Sequence, residues 1–248
     1  MSRRFFSDVP IQSDQVTLDG SEAHHLVHVM RAKAGDELIL FDGSGWEFQA
    51  RVLTTSRKAV TLEVLSKHAR DLELPIDLEL AVALPRGDRS DWLVQKLVEL
   101  GVSSLLPWKT SRSVAEPNAK SLTRLRRQVI EASKQCGRNR LMQIQDPHRM
   151  TDQLDLEPQT LHLIAHPASG TDAETTTLAS LEDGFENYQK LVIGVGPEGG
   201  FSDDELKAAM VAGWKCIDLG DRILRTETAA IAIAAWCMFK ITSAERQA

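Results

Sequence analysis

Residues 191–206, LVIGVGPEGGFSDDEL, predict a short buried strand, a glycine-rich turn and the start of a helix. The first five residues are apolar and partly β-branched, which is typical of a strand inside a sheet. Ser202 and Glu205 have the spacing of a capping box, and Phe201 and Leu206 have that of a hydrophobic staple. The proline and glycines between these two elements favour a turn.

Residues 217–235, IDLGDRILRTETAAIAIAA, repeat this arrangement closer to the C-terminus. Ile217–Leu219 is predicted to be a strand, and Gly220 begins the turn that follows it. Thr226 is expected to cap a helix, Glu227–Ile241, which is apolar around much of its circumference and must therefore be buried. Two glycine-bearing turns, each between a buried strand and a helix N-terminus, predict one pocket made largely of backbone.

The glycine spacing also matches a dinucleotide-binding fingerprint, because Gly194, Gly196 and Gly199 follow the pattern G-x-G-x-x-G. Pro197 lacks the backbone donor that a pyrophosphate needs, and Glu198 places a negative charge inside the turn. The chain after the last of these glycines is also too short to complete a doubly wound domain. Two purely structural turns are a second alternative.

The two stretches together resemble the RsmE family, through GPEGGF at residues 196–201 and LGDRILRTETA at residues 219–229. Proteins of this family are SPOUT-superfamily methyltransferases that methylate N3 of a uridine in 16S ribosomal RNA. The resemblance implies an α/β domain with a mostly parallel sheet and a C-terminal trefoil knot, in which the two turns hold S-adenosylmethionine. It also implies a homodimer.

The N-terminal part is predicted to form a small β-barrel with one helix, Glu22–Met30, capped by Ser21. The predicted strands are Gln15–Leu18, Glu37–Phe41, Trp46–Leu53 and Ala59–Leu65. The segments RRFF, HHLVHVMR and GDELILFDG, which begin at residues 3, 24 and 35, resemble the PUA-like RNA-binding domain that opens the RsmE family. The resemblance therefore implies a PUA-like domain over residues 1–72 and a methyltransferase domain over residues 73–248.

Strand and helix patterns alternate from residue 78 onward, which predicts an α/β domain with a mostly parallel sheet. The predicted strands are Leu78–Leu84, Ser104–Pro107 and Thr160–Ala165, and the predicted helices are Asp91–Leu100, Lys120–Gln135 and Thr175–Leu181. The segments QKLVELGV, RSV and EASKQCGR, which begin at residues 95, 112 and 131, also resemble the RsmE family. The resemblance therefore covers essentially the whole chain.

The chain has a net charge of −6, yet residues 109–149 contain ten basic and three acidic side chains. Clustered lysine and arginine are the usual footprint of a protein that binds a phosphate backbone, although a solvated helix face is an alternative. The three cysteines are far apart and no secretory signal is recognised, so we expect a cytoplasmic protein. No apolar run suits a membrane span, and His24 and His28 lack a third metal ligand, so we expect neither membrane nor metal.

The resemblance and the charge pattern together indicate three sets of functional residues. The residues expected to bind S-adenosylmethionine are Gly196, Gly199, Gly200, Leu219, Gly220, Leu224, Arg225, Thr226 and Ala229. Those expected to contact RNA are Arg3, Arg4, Arg31, Arg112, Arg124, Arg127 and Arg138. The candidate catalytic residues are Arg138, Glu198, Arg225 and Glu227.

Methylation of uridine N3 requires the loss of an imide proton, and the sequence does not assign the group that takes it. Glu198 and Glu227 are both able to act as the base. Each could equally hold Arg138 or Arg225 in an ion pair, and an arginine could instead stabilise the imide anion.

The expected substrate is 16S ribosomal RNA, within the small ribosomal subunit. Two other functions stay open. A dinucleotide-dependent enzyme would bind NAD rather than S-adenosylmethionine, and a non-catalytic RNA-binding protein would bind RNA without transferring a methyl group.

Overall fold

A computed structural model of the chain describes residues 3–167, 175–177 and 185–245. The chain divides into two compact units, and each is described here by itself. The first unit comprises Met1–Glu73 and Ile130–Leu141, and the second comprises Leu74–Val129 and Met142–Ala248. Residues 130–141 thus group with the N-terminal part, whereas the sequence suggested two continuous domains.

The first unit contains a five-stranded sheet that curls into a half-barrel, in the order β1-β3-β4-β5-β2. Its strands are β1 (Arg4–Phe6), β2 (Gln15–Leu18), β3 (Glu37–Phe41), β4 (Trp46–Thr55) and β5 (Val60–Ala69). The bounds of β2 and β3 are those predicted. β1 was not predicted, because three residues carry too little pattern; it pairs in parallel with β3.

The helix of the first unit differs from its prediction at both ends. α1 spans Gly20–His24 and continues as a π-helical turn over His25–Val29. The predicted cap by Ser21 is wrong, because Asp19 occupies the N-cap position and Ser21 lies within the first turn. Leu26 of the π-helical turn is buried in the core of this unit.

The second unit contains an eight-stranded sheet in which every strand pair is parallel, so the predicted parallel α/β domain is confirmed. The order is β11-β13-β10-β12-β6-β7-β8, and β9 also pairs with β7. The strands are β6 (Asp77–Val82), β7 (Ser104–Lys109), β8 (Gln143–Ile144), β9 (His148–Arg149), β10 (Thr160–Ala165), β11 (Thr175–Thr177), β12 (Lys190–Val195) and β13 (Lys215–Asp218).

The predicted helix Thr175–Leu181 is wrong over the residues that the structure describes. Residues 175–177 form β11, which pairs with Cys216–Asp218 of β13, and residues 178–181 lie outside the described residues. Three consecutive threonines are β-branched and favour an extended backbone once a partner strand is present.

Among the described residues, α2 (Asp88–Glu99), α4 (Asp203–Val211) and α5 (Thr226–Glu245) lie within this unit, whereas α3 (Ala119–Cys136) begins in it and ends in residues that group with the first unit. α2 packs against α5, and α5 packs against β6 and β12. α4 packs against a 3-10 turn at Met150–Asp152. No helix within the described residues is both long and apolar enough to cross a bilayer.

The predicted capping box of α4 is confirmed. Glu205 N donates to Ser202 Oγ at 3.3 Å, and Ser202 N donates to the Glu205 carboxylate at 2.8 Å. The same carboxylate accepts a bond from Ser111 N at 2.6 Å. Burial raises the pKa of Glu205, but the hydrogen bonds from Ser202 and Ser111 outweigh it and hold the pKa below its usual value.

We expect this carboxylate to make the protein less stable in acid. Its pKa is lower in the folded state, so its contribution is complete above the unfolded value near 4.5 and is lost as pH falls through the folded pKa. The check is denaturant unfolding of the wild type and Glu205→Gln at several pH values. The variant should be less stable at pH 7, and this difference should shrink below pH 4.5; a constant difference would contradict the assignment.

Gly194 allows the β12 backbone to approach the ring of Trp108. A Cβ atom on Gly194 would lie 2.5 Å from Cζ3 of that ring, which is 1% exposed. We expect Gly194→Ala to destabilise the protein by about 1–3 kcal/mol, because overpacking forces buried groups to move. Gly199→Ala is the matched control for chemical denaturation, since its Cβ would lie at an ordinary 3.4 Å from Arg112. Equal stabilities of the two variants would contradict this account.

Candidate functional site

The candidate site lies in the second unit, where three neighbouring parallel strands end. The ends of β10 and β12 are in register at Ala165 and Val195, and Ala165 is also paired with Ile217 of β13. The chain that leaves each strand forms one wall of a cavity of about 120 Å³. The carboxyl edge of a parallel sheet is the usual position of a binding site in α/β proteins.

The glycine-rich turn after β12 is fixed by one hydrogen bond within the turn and by two from Arg112. Gly200 N donates to Pro197 O at 2.8 Å, and Gly200 has a φ of +69°, which a residue with a side chain adopts rarely. Arg112 Nη1 donates to the carbonyl oxygens of Gly199 at 2.9 Å and Phe201 at 3.1 Å. Arg112 was predicted to contact RNA. It is bonded to this turn, and the residue is exposed.

The two glycine-bearing turns are joined by one hydrogen bond. Thr226 Oγ1 donates to Gly196 O at 3.0 Å, and Thr226 is 2% exposed. The prediction that Thr226 caps the last helix is wrong, because Thr226 is the first residue of α5 and its hydroxyl crosses to the other turn. The bond links the two turns that line the cavity.

Seven of the nine residues predicted to bind the cofactor line this cavity: Gly196, Gly200, Leu219, Gly220, Leu224, Thr226 and Ala229. Gly199 and Arg225 are outside the lining. Gly199 directs its carbonyl to Arg112, and the carbonyl of Arg225, an exposed residue, accepts the amide of Ala229 at 2.9 Å. The binding roles of all nine residues stay predictions.

The structure adds His166 and Asp218 to the lining, and neither was among the residues predicted to bind the cofactor. Both lie at the ends of strands that border the cavity, so strand ends were the signal that could have found them. The pKa of His166 is below its usual value, mainly because of burial; Arg112 lowers it further, while Asp203 and Asp218 oppose the shift. Burial therefore favours the neutral form of the ring.

Arg89 holds the two acidic residues of the site, a role that the sequence did not indicate. Its Nη1 lies 2.8 Å from Glu198 Oε1 and 3.7 Å from Glu227 Oε1. Arg89, rather than Arg138 or Arg225, is thus the ion-pair partner that the described residues show for these two carboxylates. Glu227 is 5% exposed, and its Oε2 has no hydrogen-bond partner within the described residues. Of the two carboxylates, Glu198 lines the cavity.

Two arginines predicted to contact RNA are buried within the first unit. The Arg4 guanidinium donates to Glu47 at 2.9 Å and to Asn139 Oδ1 at 2.6 Å, and Arg138 is bonded to Glu73. Arg4 is 6% exposed and Arg138 is 4% exposed. Because both side chains are buried and bonded inside the unit, burial contradicts an RNA contact for both, and it leaves Arg138 without access to a reacting base.

The other arginines that were predicted to contact RNA are exposed. Arg3 lies at the start of the first unit, and Arg31, with a φ of +53°, follows the π-helical turn. Arg124 and Arg127 lie on α3, where Arg124 Nε is 3.3 Å from Asp91. These positions are compatible with RNA contact, which stays a prediction for all of them.

Comparison with known proteins decides the family. An RNA methyltransferase domain model matches residues 72–238, and an RNA methyltransferase PUA domain model matches residues 18–65. Ribosomal RNA small subunit methyltransferase E of Bacillus subtilis is 30% identical over 218 residues, which cover 86% of this chain and 85% of that protein. The chain belongs to the RsmE family.

Solved structures of related proteins agree with this assignment. Ribosomal RNA small subunit methyltransferase E from Neisseria gonorrhoeae, solved with S-adenosylmethionine, is 31% identical with a TM-score of 0.84 and covers 95% of this chain and 96% of its own. A Legionella pneumophila protein, also solved with S-adenosylmethionine, is 28% identical with a TM-score of 0.84 and covers 98% of both chains. S-adenosylmethionine is the cofactor of the RsmE family.

The described residues of this RsmE-family chain offer no evident metal centre, because they contain no group of three or more histidine, cysteine, aspartate or glutamate side chains placed to hold an ion. Cys216 and Cys237 are buried, and burial raises the pKa of the Cys237 thiol to about 12.

Proposed function

We propose that the protein transfers a methyl group from S-adenosylmethionine to N3 of a uridine in 16S ribosomal RNA of the small subunit. The observation that carries this proposal is the cavity whose two glycine-bearing turns are joined by Thr226 and Gly196. Its position at the carboxyl edge of a parallel sheet, in a chain of the RsmE family, supports a methyl-transfer site. The uridine and its N3 atom follow from the resemblance of the sequence to this family.

The lining of the cavity fits S-adenosylmethionine chemically. Leu219, Leu224 and Ala229 provide apolar surface for a flat base, and the glycine-bearing turns bring backbone donors and acceptors close to it. Glu198 and Asp218 provide negative charge, which suits a cofactor with ammonium and sulfonium groups. When bound, the cofactor supplies an electrophilic methyl group, and the protein has to orient the uridine and remove its imide proton.

We assign the proton acceptor to Glu198. Of the four candidate catalytic residues, Glu198 is the one that lines the cavity. Glu227 is buried and Arg225 is exposed, and both lie outside the lining. Arg89, at 2.8 Å, orients the Glu198 carboxylate and keeps it near Glu227. A carboxylate placed in this way is able to take a proton within hydrogen-bond distance.

The first unit is proposed to bind RNA as a PUA-like domain, with Arg3 and Arg31 as exposed contacts. In the second unit, the exposed residues Arg112, Arg124 and Arg127 are proposed as separate contacts to phosphates. We further propose that the protein acts in the cytoplasm, that its domains follow the division 1–72 and 73–248, and that the C-terminal domain is knotted as in the SPOUT superfamily.

We also propose a homodimer formed through α2 and α5. These helices pack together, yet Trp92 on α2 is 47% exposed and Phe239 on α5 is 64% exposed. Such large apolar side chains on neighbouring helices suit a protein interface.

We expect Phe239→Glu to shift the protein from dimer to monomer, because it buries a charge in the interface. Light scattering after size exclusion measures the mass. Val211→Glu is the matched control, since Val211 is 82% exposed on α4 and should leave the dimer intact. A monomeric wild type, or a dimeric Phe239→Glu variant, would overturn the proposed interface.

The proposed function is tested first by calorimetry with S-adenosylmethionine, S-adenosylhomocysteine and NAD. We expect the first two to bind at one site per chain and NAD not to bind; the reverse would indicate a dinucleotide enzyme. Ribosomal RNA from cells that lack the protein should then lack one 3-methyluridine. Binding of RNA without methyl transfer to small subunits would instead support a non-catalytic RNA-binding protein.

A further inference from the structure

An exposed tryptophan stands at one end of the half-barrel sheet of the first unit. Trp46 is the first residue of β4 and is 38% exposed, although side chains two positions apart share a face and Phe48 is buried. Trp46 is paired with Ala69, the last residue of β5. The indole ring therefore offers an aromatic surface that the core of this unit leaves partly uncovered.

Two cationic side chains lie beside Trp46. Lys67 Nζ is 4.1 Å from the centroid of the Trp46 ring. A Cβ atom on Gly45 would lie 3.1 Å from Arg140 Cζ, so the guanidinium lies against the backbone of the residue before Trp46. Gly45 N also donates to Asn139 O at 3.2 Å, which holds the chain next to Arg140 at this turn. We call Trp46, Lys67 and Arg140 the Trp46 surface.

The positive charge of the Trp46 surface is not neutralised by neighbouring carboxylates. Lys67 and Arg140 are both exposed, and neither forms an ion pair within the part of the chain that the structure describes. The nearby carboxylate of Glu47 lies instead 2.9 Å from Arg4 and 3.7 Å from Arg70. Uncompensated cations attract an anion, and an aromatic ring beside them favours an anion that carries a flat base.

A nucleotide of single-stranded RNA combines these two features. Stacking of a base on an aromatic side chain contributes about five- to 150-fold in affinity. An ammonium group over an exposed ring contributes only about two- to fivefold. A base can therefore replace the ammonium over the Trp46 ring, and the long, exposed side chain of Lys67 is then free to meet the phosphate.

We propose that the Trp46 surface binds an unpaired nucleotide of the RNA substrate, with the base stacked on Trp46 and the flanking phosphates on Lys67 and Arg140. The nucleotide has to be unpaired, because RNA bases reach an aromatic side chain only when they leave their own helix. This inference rests on the proposed function, in which the substrate is RNA.

The Trp46 surface is distinct from the RNA contact proposed above for Arg3. Arg3 Nη1 donates to Glu37 O at 3.4 Å, at the start of β3. The Trp46 surface adjoins the end of β3, where Phe41 is paired with Glu47. At about 3.3 Å per residue, the two ends of this five-residue strand are about 13 Å apart. The first unit would thus hold RNA at two places.

The stacking is tested by fluorescence anisotropy of the full chain with a short labelled oligouridylate and with an RNA duplex of equal length. We expect Trp46→Leu, which keeps apolar surface but removes the ring, to weaken binding of the single strand about tenfold. Trp46→Phe keeps a ring and should stay within about threefold of the wild type. Neither variant should change the affinity for the duplex, whose bases are already stacked.

The phosphate contacts are tested by the salt dependence of the same binding. The double variant Lys67→Gln/Arg140→Gln should make the slope of log affinity against log salt shallower by about 1.4, since each single-strand phosphate contact contributes about 0.7. Arg57→Gln/Lys58→Gln is the matched control. It removes the same charge from exposed residues of the turn between β4 and β5, at the other end of these strands, and should keep the wild-type slope.

Three outcomes would overturn the proposal. They are no binding of the oligouridylate by the wild type, equal single-strand affinity of the wild type and Trp46→Leu, and an unchanged salt slope in Lys67→Gln/Arg140→Gln. If Trp46→Leu loses affinity for small ribosomal subunits but not for the oligouridylate, the surface contacts a protein and the proposal is also wrong.

Failure of this contact is distinguishable from failure of the proposed function. The Trp46 surface belongs to the first unit and the cofactor cavity to the second, so each variant should keep its S-adenosylmethionine affinity. Circular dichroism of each variant verifies folding. If the wild type binds the cofactor and methylates small subunits while Trp46→Leu binds RNA equally well, only the Trp46 contact is refuted.

Discussion

We expect Ala229→Leu to lower the affinity for S-adenosylmethionine at least about a hundredfold, or ~2.8 kcal/mol. Ala229 lines the proposed cofactor cavity from the first turn of α5, and it is 8% exposed. The cavity holds about 120 Å³, so a leucine side chain on a rigid helix occupies space that the cofactor needs. Calorimetry with S-adenosylmethionine measures the loss.

Thr228→Leu is the matched control for this variant. Thr228 is the preceding residue on the same helix, but it is exposed and outside the cavity lining. The Thr228→Leu variant adds a leucine at a neighbouring position, and its affinity for S-adenosylmethionine should stay within a few-fold of that of the wild type. Both variants should retain the wild-type circular dichroism spectrum. If Ala229→Leu binds as tightly as Thr228→Leu, the cofactor is bound elsewhere.

We expect Glu198→Gln to lower the rate of methyl transfer by about 10²–10⁴, the usual contribution of a general base. Cofactor affinity should fall at most a few-fold, because glutamine keeps the size of the side chain and Asp218 still provides negative charge in the lining. The variant should regain part of its rate as pH rises, since the imide of free uridine then loses its proton to solvent. Single-turnover methylation of small subunits, measured against pH, checks both statements.

Glu227→Gln separates the two acidic candidates. Both carboxylates lie near Arg89, but Glu227 is outside the cavity lining. We therefore expect its loss to affect stability more than the pH dependence of the rate. If Glu227→Gln shows the low rate with recovery at high pH while Glu198→Gln stays active, Glu227 is the base and our assignment is wrong.

Local patterns predicted the elements from which the site is built. Ser202 and Glu205 form the capping box that their spacing indicated, and β10 has its predicted bounds, Thr160–Ala165. Capping needs residues only three positions apart, and a buried strand needs only a short apolar run, so both are encoded within one stretch of chain. The alternation of strands and helices likewise predicted the parallel sheet.

Other predictions failed where a distant partner decided the outcome. The helix predicted from Thr175 is a strand over residues 175–177 because β13 pairs with it. Thr226 has the chemistry of a cap, but its hydroxyl bonds to Gly196, thirty positions away in the chain. Arg4 has the chemistry of an RNA contact, but Glu47 and Asn139 bury it.

The sequence by itself determined the family, the parallel α/β class and the two glycine-bearing turns, because conformational preferences and motifs operate over neighbouring residues. The tertiary structure decided how those turns join and that Arg89 holds Glu198 and Glu227. These features need side chains that are far apart in the chain and become neighbours only when strands pair in a particular order.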